Sequence, residues 1–157
     1  MREGIARIHK SGKPKSALQS ILTKVTDPRK QNNYPTALEG YRRWWGDKTF
    51  EWLEPVSGKY TGSGFEVRVT PELGLECIGQ RQLIKLYMSR EELSPLKTDL
   101  IGALMNKVLA PLVSPDVAMG VLDVRRAKLT LANGDSAKLM PMVDGVLADI
   151  AAIWPSV

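Results

Sequence analysis

The sequence predicts an α+β fold in which an antiparallel β-meander is covered by a long central helix and a C-terminal helix, with two short helices at the N-terminus. Three observations support this prediction. Apolar residues recur at helical spacing up to residue 45, alternate with polar residues between 49 and 88, and return to helical spacing from residue 95. A length of 157 residues, with 43% hydrophobic and 25% charged residues, is typical of one globular domain, so we expect residues 1–157 to form a single domain.

The first third of the chain is predicted to contain a mobile arm and two short helices. Residues 1–13 are polar and basic and are interpreted as the arm. A short helix begins at Pro14, residues 29–34 form a polar connector, and Pro35 begins a second helix that ends at Gly46. The apolar stripe of the first helix consists of Leu18, Ile21, Leu22 and Val25, and this helix ends at Thr26-Asp27-Pro28.

The remainder of the chain is predicted to form the sheet and the helices that cover it. In the strand at residues 83–87, Ile84 and Leu86 share one face, while Lys85 lies on the other. Ser94-Pro95 is typical of a helix start, and the wide apolar stripe that follows favours a helix packed across the sheet. A strand is predicted at residues 117–124, with residues 128–131 as its hairpin partner. Asn133-Gly134 is predicted to form a turn, and a final helix is predicted from Pro141 to Pro155.

Composition also limits the compartment and the chemistry. No run approaches about 18 consecutive apolar residues, so no membrane partner is expected, and the charged start without an apolar export segment predicts a cytoplasmic protein. The single Cys77 fits that compartment because it cannot form an internal disulfide. With His9 as the only histidine, Ser-His-Asp and Cys-His mechanisms and structural zinc are not expected. We expect no cofactor, with Mg²⁺ only if the protein is a nuclease.

Positive charge is concentrated in the first 48 residues. They hold 11 Lys or Arg against 4 Asp or Glu, a net charge of +7, whereas the rest holds 11 against 13, a net charge of −2. This asymmetry indicates either an anionic partner such as nucleic acid or a solvated leader that promotes solubility. Basic side chains neutralise phosphates, and exposed aromatic rings stack on unpaired bases. The candidate nucleic-acid-binding residues are Arg7, Lys10, Lys13, Lys15, Arg29, Lys30, Arg42, Arg43 and Trp45.

Two of these interpretations have structural alternatives. Trp45 follows Trp44 near the end of a helix, where either ring packs the helix on the sheet or remains available to a ligand. Arg125 and Arg126 are interpreted as residues that cap an exposed turn.

Glu66, Glu76 and Lys85 are the candidate catalytic residues. If the strands of the meander pair as neighbours, the three side chains lie on one face of the sheet. Two carboxylates can hold Mg²⁺, and a nearby lysine can stabilise charge that develops on a phosphate. The alternative is that these residues form ordinary charge pairs on the exposed face of the sheet.

The element order αβββαβ between residues 35 and 124 resembles the core of the restriction-endonuclease-like, or PD-(D/E)xK, superfamily. The resemblance implies metal-dependent cleavage of nucleic acid, with an acidic residue on one strand and an acid-x-Lys triplet on the next. Lys85 matches the lysine of the triplet, and Glu76 stands in for the upstream acid. Leu83 departs from the pattern, because the triplet requires Glu, Asp or Gln at that position.

The sequence therefore favours a small intracellular nucleic-acid-associated protein that binds phosphates through its basic N-terminal third and is not catalytic. Two alternatives remain open. One is a protein-interaction module, either a homodimer or a subunit of a larger assembly, whose interface is the apolar C-terminal helix or an open sheet edge. The other is a Mg²⁺-dependent enzyme of the nuclease type.

Overall fold

A computed structural model describes residues 1–133 and 136–154, which adopt the predicted α+β class. The predicted turn at Asn133-Gly134 lies partly outside these residues. The predicted helix end at Pro155 lies wholly outside them. The helices are α1 (Arg2–Lys10), α2 (Gln19–Thr23), α3 (Pro28–Trp45), α4 (Pro95–Leu109), α5 (Met140–Gly145) and α6 (Leu147–Ile153). The strands are β1 (Glu51–Trp52), β2 (Gly58–Gly62), β3 (Phe65–Val69), β4 (Leu73–Cys77), β5 (Gln80–Tyr87), β6 (Val117–Asp123) and β7 (Lys128–Leu131).

The first residues form a packed helix, not the predicted mobile arm. Ile5 and Ile8 lie on one face of α1, and their side chains are only 0% and 6% exposed. His9 is buried beside them. A helix this short is not stable alone, so burial of its apolar face holds it in place. The prediction for residues 1–13 was wrong because it considered the charges of this segment and not its apolar spacing.

Helix α3 begins two turns earlier than predicted. The carboxylate of Asp27 accepts a hydrogen bond of 2.9 Å from the backbone N–H of Arg29, and Pro28 occupies the first turn. Asp27-Pro28 therefore starts a helix where the sequence was interpreted as ending one, and Pro35 lies inside α3. As a result, residues 29–34 belong to a rigid helix instead of a connector.

The strands divide between a five-stranded sheet and a two-stranded sheet. The order in the larger sheet is β1-β4-β5-β6-β7, and the smaller sheet pairs β2 with β3. Strands β4 and β5 are antiparallel, whereas β5 and β6 are parallel and are connected through α4. The antiparallel meander expected within residues 49–88 is therefore divided: β2 and β3 form the smaller sheet, whereas β4 and β5 belong to the larger one. The parallel pair brings the carboxyl ends of β5 and β6 to the same edge of the sheet.

The central strands of the larger sheet are buried on both faces. Leu83 and Met119 belong to the core formed with α4, while Ile84 and Leu122 belong to the core formed with α1 and α3. The predicted division of β5 into two faces is confirmed, but neither face is the exposed one that the sequence suggested. Helix α3 crosses β6 closely at Gly40, where an added Cβ would lie 2.1 Å from the carbonyl oxygen of Val124. Among the described helices, none has the length and apolar character needed to cross a membrane.

The hairpin between β4 and β5 carries an unfavourable residue at its tip. Ile78 has φ +50° and precedes Gly79, which has φ +76°, and the Ile78 side chain is 96% exposed. Two-residue turns with positive φ at both positions prefer Asn-Gly, and a β-branched residue is strained there. We expect Ile78→Asn to raise the free energy of unfolding by about 1 kcal/mol in urea denaturation. Ile78→Val retains the β-branch and should change little, so equal effects of the two substitutions would contradict this explanation.

Candidate nucleic-acid interface

The three candidate catalytic residues do not lie together. Glu66 lies on β3, where its carboxylate is 3.5 Å from the amine of Lys59. Glu76 lies on β4 opposite Arg81, whose Nε donates a hydrogen bond of 3.2 Å to the Glu76 carboxylate. Lys85 lies further along β5 than Arg81, beyond the last residue pair between β4 and β5, which is Leu73 with Ile84. The expected grouping was wrong because β3 and β4 belong to different sheets.

Lys85 is buried and binds another carboxylate, that of Glu72. The Lys85 amine donates to Glu72 Oε1 at 2.8 Å, and Glu72 Oε2 accepts the backbone N–H of Leu86 at 2.9 Å. Arg2 Nε lies 3.5 Å from the same Oε1, and the Lys85 amine stands 4.6 Å from the ring centre of Trp154. Burial lowers the pKa of the Lys85 amine, and the charge of Glu72 opposes that shift.

Glu72, the partner of Lys85, was not among the site residues predicted from the sequence. Glu72 directly precedes β4 and follows Pro71. Leu83, at the position where the triplet requires an acid, is 2% exposed and belongs to the core on the α4 side. Within residues 1–133 and 136–154, no three His, Cys, Asp or Glu residues are grouped so as to hold a metal ion. Lys85 and Glu72, with side chains 5% and 14% exposed, thus form an interior ion pair.

The basic side chains of the first 48 residues fall into two groups. Five of the eleven contact a protein acceptor or carboxylate: Arg2 with Glu72, Lys10 with Glu54, Lys15 with the Gly46 carbonyl, Arg43 with the Arg125 carbonyl, and Lys48 with the Trp44 carbonyl. The other side chains make no hydrogen bond or ion pair with another described residue: Arg7, Lys13, Lys24, Arg29, Lys30 and Arg42. This second group can bind an external anion without first losing a partner.

Four of these unpaired cations line one cavity, which we call the basic cavity. It has a volume of about 340 Å³ and is bounded by residues of α1, α2, α3 and their connections. Two carboxylates, Glu3 and Asp27, also line it, and Asp27 is already engaged as the cap of α3. The positive end of the α3 dipole lies at this cap. The unpaired cations in the lining are Arg7, Lys13, Lys24 and Lys30.

The structure thus brings together only part of the predicted nucleic-acid-binding set. Arg7, Lys13 and Lys30 share the basic cavity, and Lys24 joins them although the sequence did not indicate it. The remaining predicted cations lie elsewhere: Lys10, Lys15 and Arg43 in the protein contacts given above, and Arg29 and Arg42 exposed towards opposite ends of α3.

Trp45 is not available for base stacking. Its side chain is 7% exposed, its ring stacks on His9 at 4.3 Å between centroids, and its Nε1 donates a hydrogen bond of 3.0 Å to the Lys48 carbonyl. Trp44 is also buried and stacks on Phe50. The prediction of Trp45 as a nucleic-acid-binding residue was wrong because both tryptophans belong to one aromatic cluster under α3.

A second cavity, which we call the arginine cavity, lies at the carboxyl ends of β5 and β6. Its volume is about 440 Å³, and its lining includes Arg90, Arg125, Asn33 and Tyr34. Arg125 donates hydrogen bonds from Nε to the Met88 carbonyl at 3.0 Å and from a terminal nitrogen to the Asn33 carbonyl at 3.2 Å. Arg90 donates to the side-chain oxygen of Asn33. Ligands of α/β sheets commonly bind beyond the carboxyl ends of parallel strands.

Positive charge is crowded at the arginine cavity. Burial, followed by the charges of Arg90 and Arg126, lowers the pKa of the Arg125 guanidinium. The charge of Arg126 is compensated by Asp123. One terminal nitrogen of the Arg126 guanidinium donates to both carboxylate oxygens of Asp123, at 3.1 Å each. Arg125 and Arg126 lie in the turn after β6, but they are half-buried and not exposed as the sequence indicated, and Arg125 faces this cavity. A parallel strand pair recognised from the sequence would have directed attention to it.

Met1 and Tyr34 line both cavities, so the basic cavity and the arginine cavity are neighbours that meet at these two residues. We refer to the two together as the groove. Comparison of the chain with protein-family models, curated proteins and solved structures gives no match. The arrangement of side chains in the groove is therefore what bears on function.

Proposed function

We propose that this protein binds nucleic acid without cleaving it, by placing the phosphates of the ligand along the groove. The observation that carries the proposal is the convergence of Arg7, Lys13, Lys24 and Lys30, all unpaired, on one cavity that adjoins a second cavity lined by Arg90 and Arg125. Release of the counterions condensed on nucleic acid drives such binding, and cations without protein partners gain the most from it.

Charge complementarity supports an extended anion as the ligand. The basic cavity holds four cationic side chains against two carboxylates, and the arginine cavity beyond Tyr34 holds Arg90 and Arg125 against Glu91. A single small anion would neutralise only part of this charge, whereas successive phosphates of a strand can occupy both cavities. Since the cations lie on α1 and α3, in the connections after α1 and α2, and after the ends of β5 and β6, the fold itself sets their spacing.

The nuclease alternative has less support from the arrangement of residues. Glu66 and Glu76 belong to different sheets, Lys85 is bonded to Glu72 in the interior, and Leu83 supplies no ligand atom. A protein-interaction role is distinguishable from the proposal by salt, because an apolar interface responds little to ionic strength.

The test is fluorescence anisotropy with short DNA and RNA, single-stranded and duplex, at two salt concentrations. The variant is Arg7→Gln with Lys30→Gln, and the matched control is Lys97→Gln with Lys107→Gln, which removes two exposed cations from α4. We expect the groove variant to weaken binding on the order of tenfold and to lower the salt slope by roughly 0.7–0.9 per lost phosphate contact. The control should match the wild type.

Two outcomes would contradict the proposal. One is the absence of salt-sensitive binding to any of these nucleic acids. The other is an equal loss in the groove variant and the α4 control, which would assign the binding to net charge and not to the groove.

A further inference from the structure

Tyr34 occupies the junction of the two cavities in the groove. It lines both of them, its side chain is half-buried, and its hydroxyl makes no hydrogen bond with another described residue. Lys30 lies one turn before it on α3 and faces the basic cavity. An aromatic ring is therefore placed between two cationic surfaces, without a polar contact that explains its position.

Asn33 adds a directed donor beside this ring. Its backbone carbonyl accepts from Arg125, and its side-chain oxygen accepts from Arg90. Because the oxygen of the amide is occupied by Arg90, the NH₂ group is left as the part of the side chain that can donate to a ligand. Ring, amide donor and guanidinium groups thus line the same cavity.

Resting on the proposed function, we propose that the ligand of the groove is single-stranded nucleic acid, with one unpaired base stacked on Tyr34 and the flanking phosphates in the two cavities. A duplex keeps its bases stacked and paired inside, so it can offer its phosphates to the cations but no base face to the ring. The volumes of about 340 and 440 Å³ lie within the range of sites that enclose small ligands, which is enough for a nucleotide unit in each.

The experiment compares Tyr34→Phe, Tyr34→Leu and Tyr34→Ala in anisotropy titrations with a labelled 12-nucleotide single strand and a labelled blunt-ended duplex of two complementary strands. Phenylalanine keeps the π face, leucine keeps apolar volume without it, and alanine removes both. We expect wild type and Tyr34→Phe to prefer the single strand. Tyr34→Leu and Tyr34→Ala should bind the single strand about tenfold more weakly, with an unchanged salt slope and unchanged duplex affinity. Thermal melting of each variant shows that it is folded.

The outcomes separate this inference from the proposed function. Equal affinity of the wild type for single strand and duplex, or full single-strand affinity in Tyr34→Leu, would overturn the stacking role and leave phosphate binding in place. Phosphate binding is retained in that case if the Arg7→Gln, Lys30→Gln double variant still binds more weakly than the wild type. No salt-sensitive binding by the wild type would overturn both.

Discussion

Replacing Glu72 by glutamine is expected to lower the free energy of unfolding by about 3–5 kcal/mol. The substitution removes the charge that compensates Lys85, whose amine bonds to Glu72 at 2.8 Å and whose side chain is 5% exposed. A buried ammonium without its carboxylate retains the cost of desolvation and loses the attraction that offset it. The backbone N–H of Leu86 also bonds to the carboxylate, so the strand end is weakened as well. Urea denaturation followed by circular dichroism measures the change.

A second substitution identifies the cause of that loss. Glu72→Gln combined with Lys85→Met should recover most of the stability, because the double variant no longer leaves the Lys85 charge buried without its partner and methionine can pack against the Trp154 ring. Glu66→Gln is the matched control: it breaks the exposed pair with Lys59 and should change stability by less than about 0.5 kcal/mol. Equal effects of Glu72→Gln and Glu66→Gln, or no recovery in the double variant, would contradict the argument.

Local patterns in the sequence were sufficient for the elements whose neighbours in the fold are also local. Ser94-Pro95 indicated the start of α4, and the Ser94 hydroxyl accepts the backbone N–H of Lys97 at 3.2 Å as a cap. Alternation in β5 separated Ile84 from Lys85; Ile84 packs in the core under α1 and α3, whereas Leu83, on the same face as Lys85, packs in the core under α4. In these cases the type and position of the element follow from residues adjacent in sequence, and long-range packing agrees with that local preference.

The failures occurred where one short motif permits two structures. Asp27-Pro28 is typical of both a helix end and a helix start; in the structure the Asp27 carboxylate caps α3, and the helix packs closely against the end of β6 at Gly40. Likewise, alternation cannot show that β3 and β4 lie in different sheets, because a strand pattern reports burial and not the identity of the partner strand.

The candidate site was predictable in charge but not in position. The excess of Lys and Arg in the first 48 residues is visible in the sequence, but the sequence did not indicate which of these side chains share a cavity, as Arg7, Lys13 and Lys30 do. The contributions of Arg90 and Arg125 were not predicted, because they reach the groove only through the parallel pairing of β5 with β6. Sequence spacing alone cannot identify residues that a crossover connection brings together.

Acidification from pH 7.5 to pH 5 is expected to destabilise the protein through His9, which sits in the aromatic cluster under α3. His9 Nε2 and the buried Tyr41 hydroxyl form a hydrogen bond of 2.6 Å, and the His9 ring stacks on Trp45. Burial lowers the pKa of His9 from its ordinary 6.5 to about 4. The neutral ring is therefore the form that the fold accommodates.

The sign of the effect follows from which state binds the proton. Between pH 6.5 and 4 the unfolded chain protonates His9 and the folded protein does not, so the free energy of unfolding falls as the pH falls; above pH 6.5 this contribution is constant. The loss amounts to about 2 kcal/mol at pH 5 and about 3 kcal/mol once both states are protonated.

His9→Gln isolates this term, because the glutamine amide can still accept a hydrogen bond from Tyr41 but does not titrate in this range. Urea denaturation of both proteins at pH 7.5 and pH 5 should show a loss on acidification that is about 2 kcal/mol smaller in the variant, since the carboxylates titrate equally in both. An identical pH dependence of the free energy of unfolding in the two proteins would show that His9 does not cause the loss of stability in acid.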